Sequence, residues 1–71
     1  MNDFDGFEVR RLIDEDGGWI AHFIELPHIS AGGKISERAL AELRMAWAMV
    51  KDSYVDDGQP VPQPTGQRQA A

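Results

Sequence analysis

Cysteine is absent from the 71 residues. The chain therefore has no disulfide framework and no thiolate metal site, and it suits a reducing compartment. Basic residues are scarce: 7 Lys and Arg stand against 12 Asp and Glu, for a net charge of −5 at pH 7. Neutralisation of phosphates by Lys and Arg supplies most of non-specific nucleic-acid affinity, so direct nucleic-acid binding by this chain alone is not expected. A basic protein is the better electrostatic match. Long apolar runs are missing too. No stretch approaches the ~20 residues of a membrane span. The opening residues, MNDFDGFEV, are acidic and lack the apolar segment of a signal peptide. The expectation is a soluble, cytoplasmic protein with no membrane association. A chain of this length makes one domain at most and buries a modest fraction of its surface, which favours a partner subunit.

What is present reads as strands followed by a helix. Residues 1–6 are polar and predicted to fray. Residues 7–13, FEVRRLI, alternate, with Phe7, Val9 and Ile13 on one side and Glu8 and Arg10 on the other. Arg11 and Leu12 fall on the wrong sides of that pattern. Asp14-Glu15-Asp16-Gly17-Gly18 has the chemistry of a tight hairpin connection. It is not a calcium loop, because Trp19 occupies the place that demands glycine. Residues 19–26, WIAHFIEL, form a second predicted strand that is apolar on both sides: Trp19, Ala21 and Phe23 on one, Ile20, His22, Ile24 and Leu26 on the other. A strand with one wet face alternates more cleanly, so both faces are expected to be covered, one of them by another subunit. Pro27 ends the strand. Residues 28–31 are assigned to a short third strand, and Gly32-Gly33 to a sharp turn.

Ser36 is the predicted N-cap of a helix over residues 37–56. Leu40, Leu43, Trp47, Val50 and Tyr54 follow one another at spacings of 3 and 4 and form its apolar seam, flanked by Ala39 and Ala46. Met45 and Met49 point nearly opposite that seam, a turn apart, as an adaptable contact surface would. Gly58 is placed to close the helix. The organisation expected is a domain over residues 1–58 and a proline-rich, flexible tail over residues 59–71. The predicted core is Val9, Ile13, Trp19, Ala21, Phe23, Leu40, Leu43, Trp47, Val50 and Tyr54.

Chemistry-bearing patterns are few. His22 and His28 have no companions at metal-ligand spacing. Ser30, Ser36 and Ser53 have no nucleophile pattern around them, and neither glycine pair precedes the lysine of a phosphate loop. No catalytic, cofactor-binding or metal-binding residues are assigned, and an enzyme is not expected. The enzymatic alternative would use His22, His28 and Glu25.

Several features in order resemble the N-terminal domain of HicB-type antitoxins. They are the acidic turn Asp14-Glu15-Asp16-Gly17-Gly18, then Trp19, Ala21 and Phe23, then Glu25-Leu26-Pro27. Next come Ala31-Gly32, Ser36-Glu37-Arg38-Ala39 and the closing run from Gly58 through Pro60, Pro62 and Pro64. The likeness covers residues 7–64. It departs from the family at His28, where glycine follows Leu-Pro; at Ile24, where proline precedes the acid; and at Gly33-Lys34-Ile35, where glycine, Asp and Thr are usual. Antitoxins of this family that repress their own operon carry a second, DNA-binding domain after the proline-rich segment. This chain stops there, so the expectation is protein binding without DNA binding.

The resemblance implies an α+β fold of partial ribonuclease-H-like type, with a three-stranded antiparallel sheet packed by one long helix (β-β-β-α). It also implies a function: covering the active site of a small, basic, RNA-cleaving HicA-like toxin. The residues expected at a toxin or homodimer interface are Ile20, His22 and Ile24 on the outer sheet face and Met45 and Met49 on the outer helix face. The alternative function is a divergent homo-oligomeric HicB-like module that has no toxin.

Overall fold

Asp14 to Gly18 sets the first hairpin as its residues predict. The Asp14 N–H donates to the Gly18 carbonyl at 2.7 Å and the Gly17 N–H to the Asp14 carbonyl at 3.0 Å. Gly17 takes φ +90°, the left-handed position that closes a three-residue hairpin loop. Asp14 Oδ1 accepts the Glu15 N–H at 2.8 Å, so the acid shapes the turn locally. The structure, a computed structural model, describes residues 4–65. It contains β1 (Val9–Ile13), β2 (Trp19–Phe23), β3 (Ser30–Gly33) and α1 (Ser36–Asp56), in that order. The strands form one antiparallel sheet, β1-β2-β3, with β2 central. The helix packs on one face, against β3 and β2. This is the predicted α+β fold, three antiparallel strands and one helix.

The register explains which residues meet the helix. Val9 opposes Phe23, Arg11 opposes Ala21, and Ile13 opposes Trp19, all on the helix side. Arg10 with His22 and Leu12 with Ile20 lie on the other side. Phe7, Ala21, Phe23, Ile29, Ala39, Leu43 and Trp47 are buried, with Val9, Trp19, Leu40 and Val50 packed against them. Aromatic rings make the centre. Phe7 stacks on Phe23 with centroids 4.9 Å apart, and Trp47 meets both edge-on at 5.4 and 5.1 Å. Such pairs contribute about 0.5–1.5 kcal/mol each beyond the area they bury.

The helix closes as Gly58 suggests. With Gly58 at φ +72°, its N–H donates to the Val55 carbonyl at 3.0 Å and the Gln59 N–H to the Tyr54 carbonyl at 2.9 Å. The left-handed glycine thus satisfies two carbonyls that the helix end would leave open.

Several expectations are corrected. The second strand ends at Phe23, not Leu26, because residues 26–29 form a turn with Pro27 in its second place, and the Ile29 N–H donates to the Leu26 carbonyl at 2.9 Å. That turn pushes the third strand to Ser30–Gly33 and buries Ile29. Gly32-Gly33 is therefore strand, not turn. Gly33 is required by close approach: a Cβ there would lie 2.7 Å from the Ala39 nitrogen.

Ser36 is the first helical residue and Ile35 the N-cap, with no side-chain cap bond. The Ser36 hydroxyl instead accepts a hydrogen bond from the Arg11 guanidinium at 2.9 Å. This gives Arg11 its place on the apolar side of β1. Ile13 is 63% exposed, outside the core, because α1 leaves β1 largely uncovered.

Finally, residues 4–6 are anchored rather than frayed. Asp5 (φ +53°) and Gly6 (φ +92°) both take the left-handed conformation, and the Phe7 N–H donates to the Phe4 carbonyl at 3.0 Å. Asp-Gly suits such a turn. The turn carries the Asp5 carboxylate to α1, where it accepts from Trp47 Nε1 at 2.8 Å and Lys51 Nζ at 2.7 Å. Those two hydrogen bonds, Lys51 first, hold the Asp5 carboxyl below its ordinary range against a small opposing effect of burial.

The expected tail makes definite contacts through residue 65. Val61 packs on the core, and the Thr65 N–H donates to Glu25 Oε1 at 3.0 Å. Its remainder, residues 66–71, lies outside the described residues.

Candidate functional site

With one helix on one side, the sheet keeps an outer face over which no helix or second sheet lies among the described residues. The alternation of the strands puts Arg10 and Leu12 of β1, Ile20 and His22 of β2, and Ser30 and Gly32 of β3 on that face. Ile20 and His22 are half-buried at its centre, between neighbouring strands. His22 Nδ1 lies 2.9 Å from the Phe23 carbonyl oxygen. A carbonyl only accepts, so Nδ1 carries the proton and the ring is held in one orientation. Leu12 is 39% exposed beside Ile20. Leu12 is a residue of this patch that strand reading placed on the polar side. The register with Ile20 is what gives it a role.

Ile24 lies just past the end of β2. Its N–H still donates to the Glu8 carbonyl at 3.1 Å, so the backbone continues the ladder while the side chain remains exposed. Met45 and Met49 are 55% and 71% exposed on α1. They sit on the solvent side of the helix layer, away from the outer sheet face. The five expected interface residues therefore divide into two surfaces: Ile20, His22 and Ile24 on one side of the molecule, Met45 and Met49 on the other.

The residues of the enzymatic alternative are spread over two segments. His22 is in β2, while Glu25 and His28 lie in the connection to β3. Thr65 donates to the Glu25 carboxylate through both its N–H (3.0 Å) and its hydroxyl (3.3 Å). Among the described residues, no three His, Asp or Glu side chains gather as a metal ion would require. An open groove of about 380 Å³ at the C-terminal end of α1 is lined by Val50, Ser53, Tyr54, Asp57 and Gln59. None of these forms a nucleophile–base pair. No helix among the described residues is long and apolar enough to cross a membrane.

The geometry defines a small α+β module whose outer sheet face is covered by no helix or second sheet among the described residues. No family model matches the chain, and neither a curated protein nor a solved structure matches it.

Proposed function

We propose that this chain is a HicB-like, antitoxin-type binding module that captures a small basic RNA-cleaving protein and covers its active site. The observation that carries the reading is the outer sheet face. Leu12 and Ile20, with His22 beside them, form a strip there over which no helix or second sheet lies among the described residues. A strip of this kind, rimmed by polar residues, suits protein contact better than small-molecule chemistry. The net charge of −5 supports a basic partner by steering and by charge complementarity at the rim. The strand and helix order supports the partial ribonuclease-H-like assignment, in which the fold serves binding and not RNA cleavage. The exposed Met45 and Met49 lie on the opposite side of the molecule and form the alternative contact surface, adaptable because methionine is flexible.

The deciding experiment is recovery of the tagged chain with its partner from its native cell, followed by RNA cleavage assays on the separated partner. The proposal expects a small basic protein at a fixed ratio. That protein's RNA cleavage should be suppressed when the chain is restored. A partner that cleaves no RNA, or whose cleavage the chain leaves unchanged, contradicts it.

A homo-oligomeric reading without a toxin has its own supporting observation. Among the described residues the edge strand β1 has no neighbour on one side, and it has an exposed apolar end, Leu12 and Ile13.

A further inference from the structure

The hydrogen bonds that flank β1 show which of its backbone groups are unused. The Ile24 N–H donates to the Glu8 carbonyl and the Asp14 N–H to the Gly18 carbonyl. In an antiparallel ladder the hydrogen-bonded pairs recur at every second residue. Glu8, Arg10, Leu12 and Asp14 therefore turn their backbone groups toward β2. Val9, Arg11 and Ile13 turn theirs outward, to an edge with no strand beside it among the described residues. Nothing blunts this edge by shape. No proline and no left-handed residue interrupts Val9–Ile13. Among the described residues its guard is charge, from Arg10 and Arg11.

We propose that this edge pairs antiparallel with the same edge of a second copy of the chain, in the register that sets Leu12 against Leu12. The two arginines select that register. A ladder centred on Arg10 or on Arg11 sets like charges directly opposite, which is unfavourable. A ladder centred on Val9 matches Glu8 with Arg10 but leaves Leu12 and Ile13 unpaired. One centred on Ile13 needs the turn residues Glu15 and Asp16 to act as strand. The Leu12-centred ladder sets Arg10 of each copy opposite Asp14 of the other, twice over. It also lays the Arg11 stem against Ile13, the most exposed apolar residue of the sheet.

The same pairing has a consequence for the outer face. Leu12 neighbours Ile20 within each copy, so the joined sheet carries a continuous strip of Ile20, Leu12, Leu12 and Ile20 across the two-fold axis. The surface proposed above for the basic partner is thereby doubled and made symmetric. The pairing does not depend on that partner. Its failure would leave the toxin reading standing, and the reverse is also true.

The chain contains no cysteine, so a single introduced thiol reports one position. Leu12 would face its own copy in a non-hydrogen-bonded pair, where Cα atoms lie ~4.5 Å apart, within the span of a disulfide. Under a mild oxidant the full chain carrying Leu12→Cys should form a covalent dimer in high yield. Chains carrying Val9→Cys, Arg11→Cys or the exposed Met49→Cys should form far less. Sedimentation equilibrium supplies the second readout. Arg10→Asp should weaken self-association about tenfold, because two cross-strand pairs are lost per dimer. Arg10→Asp combined with Asp14→Arg should restore it. Cross-linking no greater at Leu12→Cys than at Met49→Cys, or a chain that stays monomeric at every concentration, overturns the proposal. Preferred cross-linking at Arg11→Cys or Val9→Cys overturns the register.

Discussion

The two ends of the sheet meet different fates. At the β2–β3 end, α1 lies so close that Gly33 has no room for a Cβ, and Phe23, Ala21, Leu43 and Trp47 are sealed away. At the β1 end, Ile13 is on the same face as Phe23 and yet 63% exposed, and Leu12 is half open on the other side. Hydropathy does not separate Ile13 from Phe23. The path of one helix across a three-stranded sheet does. The 21-residue helix packs on β3 and β2, and the strand left outside it keeps Leu12 and Ile13 exposed.

The comparison can be broken most severely at Trp47. Its ring touches Phe7 and Phe23, and its indole N–H holds Asp5. Trp47→Ala should cost about 3–5 kcal/mol, a large share of what a small domain has, and thermal or urea unfolding would show it. Gly33→Ala comes next. The new Cβ would fall 2.6 Å from Arg38 Cγ and 2.7 Å from the Ala39 nitrogen, and the latter is backbone that cannot swing aside. A loss of about 1–3 kcal/mol is expected. The adjacent Gly32→Ala, whose Cβ would meet only the Trp19 carbonyl oxygen at 3.4 Å, should be close to neutral.

A smaller effect is expected from acid. Asp5 has a carboxyl held below its ordinary range by Lys51 and Trp47. Its contribution to stability is therefore complete above the unfolded value of about 3.9 and is lost as pH falls below that, through the lower folded value. Asp5 is about half exposed, 48% of its side chain, so solvent screening keeps the effect small. Denaturant titrations at pH 7 and at about pH 3 should show wild type and Asp5→Asn converging at the lower pH. The smallest change belongs to the bare end: Ile13→Thr should shift stability by less than about 0.5 kcal/mol, as exposed substitutions do. If it destabilised as much as Gly33→Ala, the bare end would not be bare.

Much of this was legible because it rests on local chemistry. The acidic-glycine turn, the 3-and-4 spacing of Leu40, Leu43, Trp47 and Val50, and Gly58 at the helix end each dictate their own geometry; Tyr54, the last residue of that seam and of the predicted core, lines the groove at the end of α1 instead. What was not legible depends on distance. Gly32-Gly33 carries the signal of a turn, and only the helix lying over Gly33 shows that its missing side chain makes room. Ser36 has the composition of a cap, but Arg11, 25 residues earlier, takes its hydroxyl. Ile29 disappears into the core because Pro27 turns the chain inward. Residues 1–6 read as a fraying end, although Asp5-Gly6 is a dipeptide that favours two left-handed residues. The anchoring of that turn on Trp47 was not legible. The candidate surface was legible in part: the double-sided apolar pattern of residues 19–24 marked Ile20 and His22, while Leu12 gained its place only through the register.

The proposed capture of a basic partner rests on the outer sheet face. Its most direct test compares wild type with Ile20→Lys, which places a cation at the centre of that face, in partner recovery and in RNA-cleavage suppression. Met49→Lys on the opposite side serves as the comparison. Wild type should return a small basic protein at a fixed ratio and silence its cleavage of RNA. Ile20→Lys should remain folded and lose both properties. Capture and silencing that survive Ile20→Lys unchanged, with loss only on Met49→Lys, would contradict it and move the binding surface to the helix.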